Sequence, residues 1–181
     1  KEKKRFAGEE IFGKTLGIVG LGAIGSMVAN LGSSLGMKVI GYDPAISVET
    51  AWQLSSKVKR MDSLETLLSQ SDFVTLHVPA IPSTKDLINS KNLRKMKPSA
   101  KLLNFARAEI VNLNDIIDAI ENKVIGGYIS DFPMPGMIGL KNVLLMPHIG
   151  ASTKEAEENC AVMASEQLID FLENGNIINS V

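Results

Sequence analysis

Apolar and polar positions alternate along the chain in blocks rather than residue by residue. Short apolar runs, several of them β-branched, predict strands at 16–19, 38–42, 73–77, 101–104, 127–130 and 143–146, with a weaker run at 58–61. Amphipathic stretches between them predict helices at 24–35, 48–54, 63–69, 90–96, 112–121 and 153–173. Strands that are apolar throughout are buried on both faces, which is typical of a parallel sheet covered by helices. We therefore expect an α/β fold.

Several local features of these helices can be predicted. Asp62 and Asn112 stand before helical segments and are expected to act as N-caps. In the last helix, apolar side chains recur at helical spacing and predict a face packed in the core: Ala161, Val162, Ala164, Leu168 and Phe171. Cys160 lies in the same helix without a nearby histidine, so we expect a buried thiol rather than a reactive one.

The chain has 181 residues, which suits one domain. Nineteen Lys and Arg against twenty Asp and Glu leave a formal charge of -1, which does not favour binding to nucleic acid or to a membrane. The basic stretch at residues 1–5 is expected to be a solvated terminus. With one cysteine and no run of eighteen apolar residues, the chain is expected to be cytoplasmic, with a small molecule or a protein as partner.

The first predicted strand leads into "GLGAIG", in which Gly20, Gly22 and Gly25 have the G-x-G-x-x-G spacing. The first glycine permits a tight turn, the second lets a pyrophosphate approach the backbone, and the third lets the helix pack on the strand. The helix N-terminus then points at the phosphates. The motif predicts a nucleotide site.

An acidic residue at the end of the second strand completes this pattern. Asp43 in "GYDP" stands 43 − 25 = 18 residues after Gly25, where a carboxylate accepts hydrogen bonds from the adenosine ribose. A carboxylate there repels a 2′-phosphate, so NAD is favoured over NADP. A methyltransferase-like nucleotide site uses a similar turn and acid, and the fingerprint alone leaves that alternative open.

The two histidines, His77 and His148, both follow predicted strands, where ligands of an open parallel sheet collect. His77 precedes Val-Pro and is expected to shape a turn and line the cofactor cleft. His148 stands between Pro147 and Gly150, and imidazole is the natural proton carrier for oxidising an alcohol. Arg107 follows the apolar residues Leu102, Leu103, Phe105 and Ala106. Its planar guanidinium matches a substrate carboxylate with two hydrogen bonds.

Five motifs together carry a resemblance: "VGLGAIG", "YDP", "LHVPAIPSTKDLIN", "KPSAKLLNFARAEIVN" and "MPHIGAST". In this order they resemble the NAD-binding domain of the D-isomer specific 2-hydroxyacid dehydrogenases, and "HIGASTKEAEENC" is most similar to the members that oxidise 3-phosphoglycerate. The resemblance covers residue 12 to near the end of the chain. It implies a doubly wound, Rossmann-type parallel sheet of six to seven strands with helices on both faces.

The resemblance also implies roles for individual residues. Arg107 and His148 match the catalytic pair. Asp43 matches the ribose-binding acid, and Asp131 matches an aspartate on the nicotinamide side. The other positions implied to contact NAD are Gly20, Gly22, Ala23, Ile24, Gly25, Pro44, His77, Val78, Pro79, Phe105, Ala106, Ile149, Gly150 and Ala151. No metal site is implied.

Three positions depart from the family pattern. Ala108 follows Arg107 where the family usually has glycine, and Ala23 replaces a longer polar side chain. The usual Glu-Pro step, whose glutamate pairs with the catalytic histidine, is here Met134-Pro135. No Asp or Glu stands between Asp131 and His148, so part of the acid-base catalysis is expected to be lost.

The resemblance implies NAD-dependent oxidation of a D-2-hydroxy acid, with 3-phosphoglycerate, the entry to serine synthesis, as the favoured substrate. The family's discontinuous substrate domain is not in these 181 residues. They are therefore interpreted as one cofactor domain, with its core at about 12–175, inactive alone and forming homodimers. Other hydroxy acids such as glycerate or lactate, and a non-catalytic module that senses NAD(H), remain alternatives.

Overall fold

The computed structural model describes residues 8–178, so the basic stretch at 1–5 lies outside the described residues. Seven strands form one sheet in the order β3-β2-β1-β4-β5-β6-β7, and every neighbouring pair is parallel. The strands are β1 Thr15–Val19, β2 Lys38–Tyr42, β3 Lys59–Arg60, β4 Phe73–Leu76, β5 Lys101–Asn104, β6 Gly127–Ser130 and β7 Val143–Leu145. The predicted doubly wound parallel sheet is confirmed.

The helices follow the predicted segments to within a few residues. They are α1 Ala23–Ser34, α2 Val48–Gln53, α3 Leu64–Gln70, α4 Ser90–Leu93, α5 Leu113–Glu121 and α6 Lys154–Asn174, with 3₁₀ turns at Ala108–Ile110 and Pro135–Met137. Asn112 caps α5 as predicted, accepting from the Asp115 N–H at 3.1 Å. Asp62 was the wrong cap for α3. Ser63 accepts from the Thr66 N–H at 3.2 Å, because a cap must reach the N–H three residues later.

Helices cover both faces of the sheet. Successive residues of a strand point to opposite faces, and on β1 Ile18 joins one apolar cluster while Val19 joins the other. The larger cluster includes buried side chains of α3, α4 and α5, and the smaller one includes Ala29 of α1. From β1 the strands run outward through β2 and β3 on one side, and from β4 they run outward on the other side. A crevice is therefore expected at the carboxyl ends of the central strands β1 and β4, where the direction of the strand order reverses.

Residues 148–178 form a second compact unit that contains α6. No residue of α6 is buried, so the predicted core face of this helix was wrong. The thiol of Cys160 is exposed, and the prediction that it is buried was also wrong. Helical spacing of apolar residues shows that they share a face, but it does not show what covers that face. Within residues 8–178, no helix is both long enough and apolar enough to span a membrane.

Candidate functional site

The glycine turn between β1 and α1 is shaped by close packing. Gly20 has φ +89°, and a side chain there would approach the carbonyl oxygen of His77 to 2.6 Å. A side chain at Gly25 would collide with the carbonyl oxygen of Gly20. Gly22 differs, because nothing lies within 4 Å of the position its Cβ would take. Two glycines therefore hold the turn tight, and the middle one leaves open space over it.

The N-terminus of α1 is not capped by a side chain. Gly22 is its N-cap residue, and no acidic residue stands in the first turn. The first N–H groups of a helix have no intrahelical partner and carry a partial positive charge. Ala23 and Ile24 begin this helix, and Ile24 is 67% exposed. The end of α1 is thus able to receive an anion such as a diphosphate.

Asp43 follows β2, beside the glycine turn. Its Oδ2 accepts a hydrogen bond from the Leu21 N–H at 2.7 Å, and its Oδ1 accepts one from the Ala45 N–H at 2.8 Å. A carboxylate has about four acceptor positions, so each oxygen retains capacity for a further donor. Pro44, the next residue, is exposed. The carboxylate is therefore fixed in place and still able to bind hydroxyl groups.

A cleft of about 450 Å³ opens beside the glycine turn. Seven of its eight lining residues were predicted from the sequence to contact the cofactor. The lining consists of Ile24, His77, Val78, Pro79, Ala80, Phe105, Ala106 and Arg107. The structure thus brings the end of β4, the end of β5 and the start of α1 together around one cavity. Ala80 was not predicted, because a small apolar residue in a loop carries no chemical signal.

His77 is partly buried at the end of β4. Its Nε2 lies 3.0 Å from Thr75 Oγ1, and its backbone N–H donates to the Val19 carbonyl at 2.7 Å. Burial lowers the pKa of this imidazole, because the charged form loses its hydration. His77 therefore combines a structural contact to β1 with a place in the cleft, as the sequence predicted.

Arg107 lies in extended backbone, with φ −155° and ψ 149°, between β5 and the 3₁₀ turn at Ala108–Ile110. Its side chain is exposed, and Nη1 donates to the Ala106 carbonyl at 2.7 Å. Among residues 8–178, no carboxylate forms an ion pair with this guanidinium. The side chain lines the cleft and retains donors for a ligand carboxylate.

The remaining predicted residues come after β5 in the chain. Asp131 directly follows β6 and is partly buried. His148, Ile149, Gly150 and Ala151 begin the second unit and are exposed. Met134, where the family pattern has glutamate, is 37% exposed and lines a separate cavity of about 350 Å³ together with Met137 and Tyr128.

The sequence did not predict the contact between two polar side chains beneath the Arg107 segment. Asn104 ends β5 fully buried, and Tyr128 on β6 is 2% exposed. The Asn104 Nδ2 donates to both the Arg107 carbonyl and the Tyr128 hydroxyl. A polar residue at the end of an apolar run gave the signal for Asn104, whereas nothing along the chain pairs it with a tyrosine 24 residues later.

Comparison with known proteins identifies this arrangement. The family model described as "D-isomer specific 2-hydroxyacid dehydrogenase, NAD binding domain" matches residues 1–150. The chain belongs to this family. The glycine turn, the uncapped N-terminus of α1 and the Asp43 carboxylate are features typical of a dinucleotide-binding fold. The resemblance found in the sequence, and NAD as cofactor, are confirmed.

Individual relatives support the same assignment. D-3-phosphoglycerate dehydrogenase from Synechocystis sp. is 44% identical over 177 residues, which cover 94% of this chain. D-3-phosphoglycerate dehydrogenase from Haemophilus influenzae is 38% identical over 190 residues, covering 99%. This NAD-binding domain spans 31% of the first relative and 45% of the second.

A solved structure shows the same fold with its cofactor. The NAD-complexed crystal structure of D-isomer specific 2-hydroxyacid dehydrogenase from Lactobacillus delbrueckii ssp. bulgaricus superposes with a TM-score of 0.83 at 30% identity. The match covers 96% of this chain and 57% of that one. The NAD-binding domain therefore accounts for somewhat more than half of that relative.

Proposed function

We propose that this NAD-binding domain serves the oxidation of a D-2-hydroxy acid, 3-phosphoglycerate to 3-phosphohydroxypyruvate, at the entry to serine synthesis. The observation that carries the proposal is the Arg107 guanidinium, which lines the cleft beside the glycine turn with donors available for a carboxylate. The relatives named D-3-phosphoglycerate dehydrogenase support this choice of substrate.

The chain's own residues bind and orient the cofactor. The uncapped N-terminus of α1, with Ala23 and Ile24, receives the diphosphate over the open position at Gly22. The Asp43 carboxylate accepts from the ribose hydroxyls and disfavours a 2′-phosphate. Val78, Pro79 and the segment Phe105–Arg107 exclude water along the nicotinamide side of the cleft. When bound, NAD supplies the hydride acceptor.

Arg107 and His148 share the work on the substrate. The Arg107 guanidinium binds the substrate carboxylate with two hydrogen bonds and draws electron density from the reacting carbon. His148 removes the proton of the 2-hydroxyl group as the hydride leaves, which is general-base catalysis worth roughly 10²- to 10⁴-fold. Asp131, Gly150 and Ala151 complete the surroundings of the nicotinamide.

The substrate pocket itself requires residues outside this chain. The core at about 12–175 acts as one cofactor domain, and a substrate-binding domain contributed by other segments selects the hydroxy acid. The protein acts as a homodimer formed through its cofactor domains. The small-molecule partner is therefore a 2-hydroxy acid, whose identity depends on that second domain.

A second function is favoured by one observation, the methionine at position 134. With methionine in place of the usual glutamate, the chain keeps the glycine turn and the Asp43 carboxylate but not the Glu-Pro step of the family pattern. That combination suits a module that senses NAD(H) without turning over a substrate. Normal NAD affinity with no turnover of 3-phosphoglycerate, glycerate or lactate by the full-length protein would favour the sensor.

The decisive experiment measures NADH formation from 3-phosphoglycerate by the full-length protein. We expect turnover that falls by roughly 10²- to 10⁴-fold in His148→Ala. In Arg107→Lys we expect a fall of about 10- to 100-fold, because lysine cannot form the two-pronged contact. Arg94→Lys is the matched control, because Arg94 is an exposed arginine at the end of the short helix α4. This change should alter turnover little. Wild-type kcat in His148→Ala would end the proposed mechanism.

A further inference from the structure

Two buried polar side chains meet beneath the segment that carries Arg107. Asn104 is 0% exposed at the end of β5, and Tyr128 is 2% exposed on the neighbouring strand β6. The Asn104 Nδ2 donates to the Tyr128 hydroxyl at 3.3 Å. Burying a polar side chain in a sheet destabilises the fold unless the side chain is hydrogen-bonded. The hydrogen bonds of this pair must therefore offset the loss of its hydration.

The contacts of Asn104 are directed at the Arg107 segment. Its second Nδ2 hydrogen donates to the Arg107 carbonyl at 2.9 Å, and its Oδ1 accepts from the Ala106 N–H at 3.2 Å. The amide thus uses both of its N–H groups and its oxygen. Rotating the amide by 180° would face its oxygen toward the Arg107 carbonyl oxygen, so the backbone contacts at Ala106 and Arg107 fix one orientation, and the Tyr128 hydroxyl supplies the third partner.

Tyr128 supports the amide from the other side by accepting its remaining N–H. Burial raises the pKa of its hydroxyl, whereas hydrogen bonds with Ser130 and Asn104 lower it and the nearby Asp131 charge raises it, with a net rise. The hydroxyl therefore stays neutral at physiological pH. Because Ser130 and Asn104 both contact it, the tyrosine joins the ends of β5 and β6 through side chains as well as through the sheet.

The Arg107 side chain has little support of its own. It is exposed, and within residues 8–178 its one hydrogen bond runs to the Ala106 carbonyl, in the same segment. The direction of the guanidinium therefore depends on the backbone of Ala106 and Arg107, which the Asn104 amide holds from below. Because the guanidinium stands at the end of a long side chain, a small rotation of this backbone segment would move it several times farther than the backbone itself.

We propose that Tyr128 and Asn104 are positioning residues that aim Arg107 at the substrate carboxylate. This inference rests on the proposed function, in which Arg107 binds that carboxylate. The Tyr128 hydroxyl restrains the Asn104 amide, the amide holds the Ala106 N–H and the Arg107 carbonyl, and the guanidinium is presented to the cleft. Neither side chain lines the cavity that holds NAD.

The proposal predicts a selective kinetic effect. Tyr128→Phe removes one hydroxyl, and Asn104→Asp retains an acceptor for the Ala106 N–H but places an oxygen against the Arg107 carbonyl. In the full-length protein both variants should raise KM for 3-phosphoglycerate, by about 3- to 10-fold for Tyr128→Phe and by more for Asn104→Asp. The Kd for NAD should stay within about 2-fold. Tyr42→Phe, whose hydroxyl forms no hydrogen bond with residues 8–178, is the matched control.

Hydrogen exchange gives a readout that does not depend on turnover. The Ala106 amide should exchange faster in Tyr128→Phe than in the wild type, while the Tyr128 amide within the sheet keeps its protection. An unchanged KM in Tyr128→Phe, with or without faster exchange at Ala106, would overturn the positioning role. A fall in Tm with KM and exchange unchanged would also overturn it, since the tyrosine would then only fill the core. No turnover by the wild-type protein would instead overturn the proposed function.

Discussion

The Asp43 carboxylate accepts a hydrogen bond of 2.7 Å from the backbone N–H of Leu21, inside the glycine turn. This bond joins the end of β2 to the end of β1 at the entrance of the cofactor site. The residue proposed to bind the ribose thus also holds the glycine turn that is proposed to receive the diphosphate. The two parts of the NAD site are coupled through one side chain.

Asp43→Ala should therefore weaken NAD binding by more than the loss of ribose contacts alone. Loss of the ribose hydrogen bonds, together with a looser turn, should raise the Kd for NAD by about 10- to 100-fold, equivalent to about 1.4 to 2.8 kcal/mol. The Kd for NADP should change less, because the repulsion of the 2′-phosphate is removed at the same time. Calorimetric titration with both nucleotides measures this.

Asp62→Ala is the matched control for Asp43, since Asp62 is exposed and Ser63 rather than Asp62 caps α3. It should leave both nucleotide affinities unchanged. An Asp43→Ala protein with wild-type affinity for NAD would contradict the assigned role of this carboxylate.

His77 should make the stability of the domain depend on pH. Its pKa is lowered by burial, so below its ordinary value of 6.5 the unfolded chain takes up a proton that the folded chain does not. Stability should therefore fall as the pH drops below about 6.5, by up to about 1.4 kcal/mol per pH unit, until the pH reaches the lower folded pKa. Urea unfolding measured from about pH 5 to about pH 8, the range in which histidine changes its charge, measures this dependence.

His77→Gln should flatten that part of the curve, because glutamine does not titrate and still offers a donor to Thr75. The difference between wild type and variant isolates the histidine from other groups that titrate in the same range. An identical slope in the two proteins would show that His77 does not contribute.

Asp72 should stabilise the fold at the end of the sheet opposite to the cofactor site. It accepts from the Thr15 N–H and from Lys97 Nζ, each at 2.8 Å. Burial raises the pKa of this carboxyl, but the hydrogen bonds from Lys97 and Thr15 outweigh burial and leave it below its usual value. Its stabilisation is therefore present above the usual value of 3.8 and is lost as the pH falls through the lower folded value.

Lys97→Met should consequently lower the free energy of unfolding by about 1 kcal/mol at neutral pH, since both partners are partly exposed and screened by solvent. The Tm should fall by about 2–4 °C. Lys141→Met, at an exposed position without an ion pair in residues 8–178, should leave the Tm unchanged. Equal Tm values for the two variants would contradict a stabilising role for the Asp72 contact.

The strands and the cofactor turn were predictable because local sequence determines them. The runs at 38–42, 101–104 and 127–130 match β2, β5 and β6 residue for residue. A short apolar run bounded by turn or polar residues leaves little choice of where the strand begins and ends. The glycine turn and Asp43 are recognisable because only certain residue types permit that geometry. The lining of the cleft followed from the family resemblance for most residues, and from their position beyond strand ends for His77.

What the sequence did not predict depends on contacts between distant parts of the chain. The pairing of Asn104 with Tyr128 requires the register of β5 against β6. Helix α6 shows the same difficulty, because its apolar spacing predicted a packed face and the structure leaves Val162 and Phe171 about half exposed. The spacing of side chains within one element is local, whereas burial depends on what the rest of the protein places beside it.

Met134→Glu is expected to increase turnover in the full-length protein. Met134 precedes the 3₁₀ turn at Pro135–Met137 and is partly exposed, so a carboxylate there is tolerated without burying a charge. A restored Glu-Pro step would offer His148, the proposed general base, the carboxylate partner of the family pattern, which fixes the tautomer of the imidazole. We expect kcat/KM for 3-phosphoglycerate to rise by about 10- to 100-fold, measured as NADH formation.

Ile138→Glu adds the same charge at an exposed position of the same loop and should have no effect on kcat/KM. A rise in both variants would indicate a general effect of charge, and a rise in neither would show that the site does not depend on a carboxylate at this step.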